Sequence, residues 1–220
     1  MNETPQLQSQ RQSIVLLGDF NPKIFQPLWF GMEGLIGKQE AKDAEINIIH
    51  PKIVSFSLAW LRIQILPEQF SVETQQESYF EALRDLVVGT FKLLSHTPLR
   101  MMGINRDMDF AVNSKEFYHQ VGHKLAPKEI YHGILHSPGL RSLSIEENPR
   151  QDGQKGYIRL TVQPSNGHHL GIVFSVNDHY EVKEPEKSIG ASELIEILEK
   201  ICSQSFERSE KMILSLLERL

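Results

Sequence analysis

Ile158-Arg-Leu-Thr-Val162, then Ile172-Val-Phe-Ser-Val176, then an apolar helical stripe from about residue 191 to residue 220: this stretch decides the fold. Apolar side chains at every second position predict strands with one buried face, and a 3.6-residue rhythm predicts a helix lying over them. The same order occurs earlier. Val54, Phe56 and Leu58, then Leu61, Ile63 and Ile65, lead into a helical run from Gln75 to Leu94. Strands at hairpin spacing cannot be joined by crossover helices, so the sheets are expected to be mostly antiparallel. The expected class is α+β: two related strand–strand–helix halves and a long C-terminal helix.

Working outward, residues 1–12 are polar and Gln-rich and are expected to be a disordered N-terminus. Residues 13–112 form the first half, 113–139 a helical connector and 140–220 the second half. Ile14 to Leu17 read as a strand buried on both faces, ended by Asn21-Pro22. Residues 24–36 suggest a packed loop or short helix, and 38–45 a charged, exposed segment. A change of apolar phase at Trp60/Leu61 predicts a bulge or tight bend. Thr74 with Glu77, and Asn113 with Glu116, read as capping pairs at helix starts. A further short helix is expected over 128–135. In the first long helix Phe80, Leu83, Leu86, Val87, Phe91 and Leu94 form the core stripe.

The composition excludes several classes. Of 220 residues, 40% are hydrophobic and 23% charged, as in ordinary globular proteins, and the net charge of −5 disfavours nucleic acid as a partner. The N-terminus lacks the apolar core of a signal peptide, and no apolar run is long enough to cross a membrane. The single cysteine, Cys202, excludes an intramolecular disulfide and fits a cytoplasmic location. Set in the apolar rhythm of the last helix, it reads as a small buried hydrophobe.

Four groups could carry chemistry. His119 with His123, and His132 with His136, stand at helical i,i+4 spacing, where two imidazoles can share a divalent metal such as zinc. Neither pair has the Glu that a zinc-protease motif needs after its first histidine. Asn177, Asp178 and His179 follow a strand and are a candidate binding turn. Arg106, Asp107 and Asp109 form another charged group; Asp107 and Asp109 share one strand face and could bind a cation or do acid–base work, though such pairs are more often an exposed face. Finally, Ile213, Leu216, Leu217 and Leu220 end a helix too long for one small domain, and are the candidate self-association interface.

The first strand ending in Asn21-Pro22, the capped helix before Leu99, Gly103-Ile-Asn105 and the terminal helix with Phe206 together resemble an uncharacterised, sporadically distributed bacterial family. The resemblance is diffuse and implies no assigned activity and no catalytic residue. The leading expectation is a non-enzymatic cytosolic binding or assembly protein without a cofactor, whose partner is itself, as a homodimer, or another protein. The alternative is a metal-dependent, hydrolase-like enzyme using the connector histidines.

Overall fold

A computed structural model describes residues 5–184 and 190–220. It is α+β, with one nine-stranded sheet in which every paired strand is antiparallel to its neighbour. Strand β1 (Gln6–Gly18) runs through the middle of the sheet. The chain then passes through two short helices, α1 (Pro27–Met32) and α2 (Lys38–Asp43), to β2 (Glu45–His50) at the sheet edge. It returns inward by β3 (Ile53–Ser57), β4 (Arg62–Leu66) and β5 (Gln69–Thr74), which closes on β1. Helix α3 (Phe80–Leu93) follows.

Strand β6 (Leu99–Ala111) then pairs with the other side of β1. Helix α4 (Lys115–Leu125) and a 3-10 turn (Lys128–Tyr131) lead to the opposite edge, β7 (Leu143–Glu147). From there β8 (Gly156–Pro164) and β9 (Gly171–Glu181) return to β6, and α5 (Ser192–Leu217) ends the fold. Helices α3 and α5 touch each other and lie on one sheet face. On that face Ile14, Leu16, Ile104, Phe174 and Tyr180 are buried. The other face carries partly exposed polar and charged side chains such as Arg11, Asp107 and Arg159.

Several expectations change. Residues 6–12, expected to be disordered, belong to β1, because their backbone pairs with β6 from Gln6 opposite Ala111 to Gln12 opposite Arg106; residues 1–4 of that segment lie outside the described residues. Val15 and Leu17 are only partly buried, so β1 is covered on one face rather than two. The charged segment 38–45 contains α2, where Glu40 accepts from the Gly37 amide at 2.8 Å and from Trp60 Nε1 at 3.0 Å. The phase change at Trp60/Leu61 is a tight turn, with the Leu58 amide donating to the Leu61 carbonyl at 2.7 Å.

Neither capping pair forms as read. Thr74 ends β5; its hydroxyl donates to the Trp60 carbonyl at 2.5 Å, and a 3-10 turn (Glu77–Tyr79) separates it from α3. Ser114, not Asn113, caps α4, accepting from the Phe117 amide at 3.0 Å. The helix expected over 128–135 stops at Tyr131, and Gly133 follows at φ +78°, a left-handed conformation that ends a helix.

The 26-residue α5, about 39 Å long at 1.5 Å per residue, spans two separate apolar clusters. Leu194, Leu198, Cys202 and Phe206 join the first, with α3 and the β1–β5 side of the sheet. Ile213 joins the second, formed with Met108, Phe110, Val121, Val162 and Phe174. Ile213 is 0% exposed, and Leu216, Leu217 and Leu220 pack against the same cluster. The assignment of these four to an interface rested on an uncovered helix end. The second cluster buries Ile213 within the chain, while Leu216, Leu217 and Leu220 are partly buried at its edge.

Candidate functional site

Between the two apolar clusters the helix-facing side of the sheet turns polar. Gln12 of β1 lies in phase with the buried Ile14 and Leu16, and Arg106 of β6 in phase with Ile104 and Met108. The register places Gln12 directly opposite Arg106. One row further along β9, Asp178 is fully buried opposite Ile104. Above this seam α5 contributes Ser205, Arg208, Ser209 and Glu210 between its two apolar sections.

The Asp178 side of the seam is densely hydrogen-bonded. Asp178 accepts from Arg150 at 2.5 Å, from the Ser205 hydroxyl at 2.5 Å and from Arg208. Arg150, whose side chain is 0% exposed, also donates to Asp152 at 2.5 Å, to the Tyr180 hydroxyl at 3.0 Å and to the His179 carbonyl at 3.0 Å. Burial alone would lower the Arg150 pKa, yet the hydrogen bonds to Asp152 and Asp178 raise it. Burial likewise pushes the Tyr180 hydroxyl up, so it stays protonated. Among the described residues Arg208 Nε is the one atom of the network left buried and unpaired; the remaining bonds pin α5 to β9.

That network carries a pH signature. The hydrogen bond from Arg150 holds the partly exposed Asp152 carboxyl at about 2, below its unfolded value of about 3.9. A depressed carboxyl stabilises the fold above its unfolded pKa and loses that contribution as pH falls through the folded one. The stability gap between the protein and its Asp152→Asn variant should therefore narrow from about pH 4 to about pH 2. Denaturation at stepped pH reads it. A gap constant across that window would separate Asp152 from the network.

The Gln12–Arg106 side is different. Gln12 is 0% exposed, and neither its Oε1 nor its Nε2 has a hydrogen-bond partner among the described residues. Arg106 is 4% exposed; it donates to Gln10 Oε1 at 2.9 Å and pairs with Glu210 at 3.2 Å, while its Nε is buried and unpaired among the described residues. Burial lowers the Arg106 pKa, opposed by the charges of Glu210 and Glu77. Both side chains line a cavity of about 210 Å³ under α3 and α5, with Phe80 and Phe206 as its apolar walls. Its acidic residues are Glu77, Glu81, Glu207 and Glu210, and its other cation, Arg84, is paired with Asp85 at 2.8 Å. Each buried orphaned polar group costs about 1–3 kcal/mol. The two residues that carry these three orphaned atoms line one cavity, which makes it the candidate site.

The residues singled out from sequence fall elsewhere. Asn177, Asp178 and His179 are not a turn but part of β9, where neighbours alternate between faces. Asp178 joins the buried network, whereas Asn177 donates to Asn105 Oδ1 and His179 stacks on Tyr157 at 4.4 Å on the open face. Desolvation lowers the His179 pKa. They therefore do not form one binding site. On the same open face Asp107 is held by Arg11 at 2.5 Å, and Asp109 accepts from the Ser165 hydroxyl at 2.6 Å.

The connector histidines are also dispersed. His119 lines a pocket of about 460 Å³ between α4 and β8, His123 pairs with Glu129 at 3.2 Å, and His132 and His136 are exposed. Among the described residues no group of three or more His, Cys, Asp or Glu side chains is placed to hold a metal ion. Cys202 is buried, and desolvation pushes its thiol up to about 12, as expected of a cysteine that acts as a small hydrophobe. No helix among the described residues is long and apolar enough to cross a membrane.

Gln12 and Arg106 escape a reading for motifs because neither belongs to a recognised catalytic or metal-binding spacing. The signal that finds them is parity: both fall on the apolar phase of their own strands. No protein-family model matches this chain, and no curated protein matches it.

Proposed function

We infer that the protein is a non-enzymatic binding protein whose ligand site is the cavity beneath α3 and α5. The observation that carries this reading is the carboxamide of Gln12, a residue lining the cavity, wholly buried and with both polar atoms unpartnered among the described residues. A protein keeps such a costly group where binding uses it, at the expense of stability. The densely hydrogen-bonded Asp178 network supports the same reading, because it fixes α5 rigidly above the cavity floor. A cytosolic setting fits the single, buried cysteine. With Ile213 buried within the chain, the binding reading does not rest on a dimer through the end of α5.

The two-half reading belongs here too. It is supported by the route the chain takes twice: central strand, outer edge, return by hairpins, then a helix over the same face.

Gln12→Met tests the site without changing side-chain length. If the carboxamide is held for a ligand, the ligand-free variant gains about 1–3 kcal/mol by losing an unsatisfied buried group. Urea denaturation of the two purified proteins measures the difference. An unchanged or less stable variant would mean that the carboxamide is satisfied by the folded chain and water, which overturns the binding reading.

A further inference from the structure

We propose that the cavity between α3 and α5 takes a small basic amino acid, its α-carboxylate and α-ammonium against Gln12 and Arg106 and its cationic side chain toward Glu77, Glu207 and Glu210. The proposal rests on the binding reading above and adds the class of ligand.

The floor sets the first requirement. Among the described residues Arg106 Nε and Gln12 Nε2 are two unpartnered N–H donors, on residues directly opposite each other in the β1–β6 pair. Both call for an acceptor, and a carboxylate offers two oxygens to meet them, with a charge-assisted bond to the guanidinium. Gln12 Oε1 is an unpartnered acceptor in the same group and calls for a donor. An ammonium one carbon away from the carboxylate supplies it. A simple carboxylic acid leaves that acceptor orphaned, and a simple amine leaves both donors orphaned.

The walls set the second. Four glutamates face two arginines around the cavity, and Arg84 is already engaged by Asp85. Glu210 neutralises Arg106, so the remaining field at the mouth is acidic and favours a cation. Glu77 and Glu207 are exposed there, and Phe80 and Phe206 offer apolar sides for a methylene chain between the two charged ends. A volume of about 210 Å³ suits a molecule of this size and excludes a nucleotide or a folded peptide.

The test uses thermal shift and calorimetric titration of the intact protein with L-arginine, L-lysine, agmatine (which lacks the carboxylate) and glutarate (which lacks the cation). The expected result is a saturable rise in Tm with L-arginine or L-lysine, and affinity about tenfold or more weaker for agmatine and glutarate. Gln12→Met and Arg106→Met should both lose the response while remaining folded. Agmatine or glutarate binding as tightly as the amino acids overturns the proposal, as does no saturable response to any of them. If no probe binds but Gln12→Met is stabilised, the ligand class is wrong and the site stands. If no probe binds and Gln12→Met is not stabilised, the cavity holds water only and both readings fall.

Discussion

Asp178→Ala costs the protein about 3–5 kcal/mol, because it removes the shared, fully buried counter-ion of two guanidinium groups and leaves the buried Arg150 with only the more exposed Asp152. Arg150 and Asp178 are both 0% exposed at their side chains, whereas Arg208 is 34% exposed and can turn toward water. Most of the loss therefore comes from Arg150. The Ser205 hydroxyl loses its acceptor as well, so α5 loosens over β9 at the same point. Urea denaturation measures the loss. A change below about 1 kcal/mol would show that Arg150 finds solvent on its own and that the network does not pin the helix.

Leu83→Ala loses about 2–5 kcal/mol, the cost of the removed methyl groups plus the cavity they leave. Leu83 is 0% exposed on the inner face of α3, in one cluster with Leu86, Val87 and Phe91. Phe91 in turn meets Phe70 edge-to-face with ring centroids 5.0 Å apart, so the region is densely packed and has little room to collapse. The same denaturation assay decides it. A loss under about 1 kcal/mol would place this helix face against solvent or a loosely held partner.

The apolar periodicity made much of this fold legible. Strands β8 and β9, the stripe of α3 and the length of α5 all follow from the spacing of Leu, Ile, Val and Phe. Strand β5 was not legible as a separate element. Only Pro67 and Glu68 separate it from β4, and its Thr74 imitates a helix cap while its hydroxyl is engaged by Trp60. Local hydrogen-bonding residues near a helix start are ambiguous in this way, because Ser and Thr serve turns and caps equally. Ser114 shows the converse, taking the cap that its neighbour Asn113 was expected to provide.

The candidate site was hidden for a different reason. Histidine pairs and acidic clusters attract notice because their residue types suggest chemistry, yet here they are spread over separate surfaces. Gln12 lies in a polar N-terminal stretch that reads as frayed, and only its pairing with β5 and β6 buries it. Arg106 sits among Asp107 and Asp109, which suggests a charged exposed strand. Its neighbours do face out, but Arg106 points the other way. Pairing register, which depends on contacts distant in sequence, brings the two together.

The most direct measurement is the side-chain amide resonance of Gln12 in ¹⁵N-labelled protein, assigned by its absence from Gln12→Met. With the carboxamide unpartnered and the cavity open to a ligand, titration with L-arginine should move the Gln12 Nε2–H signals to saturation, in step with the rise in Tm. Signals that stay fixed through the titration, while resonances elsewhere on the surface drift, would contradict a binding site at Gln12 and Arg106.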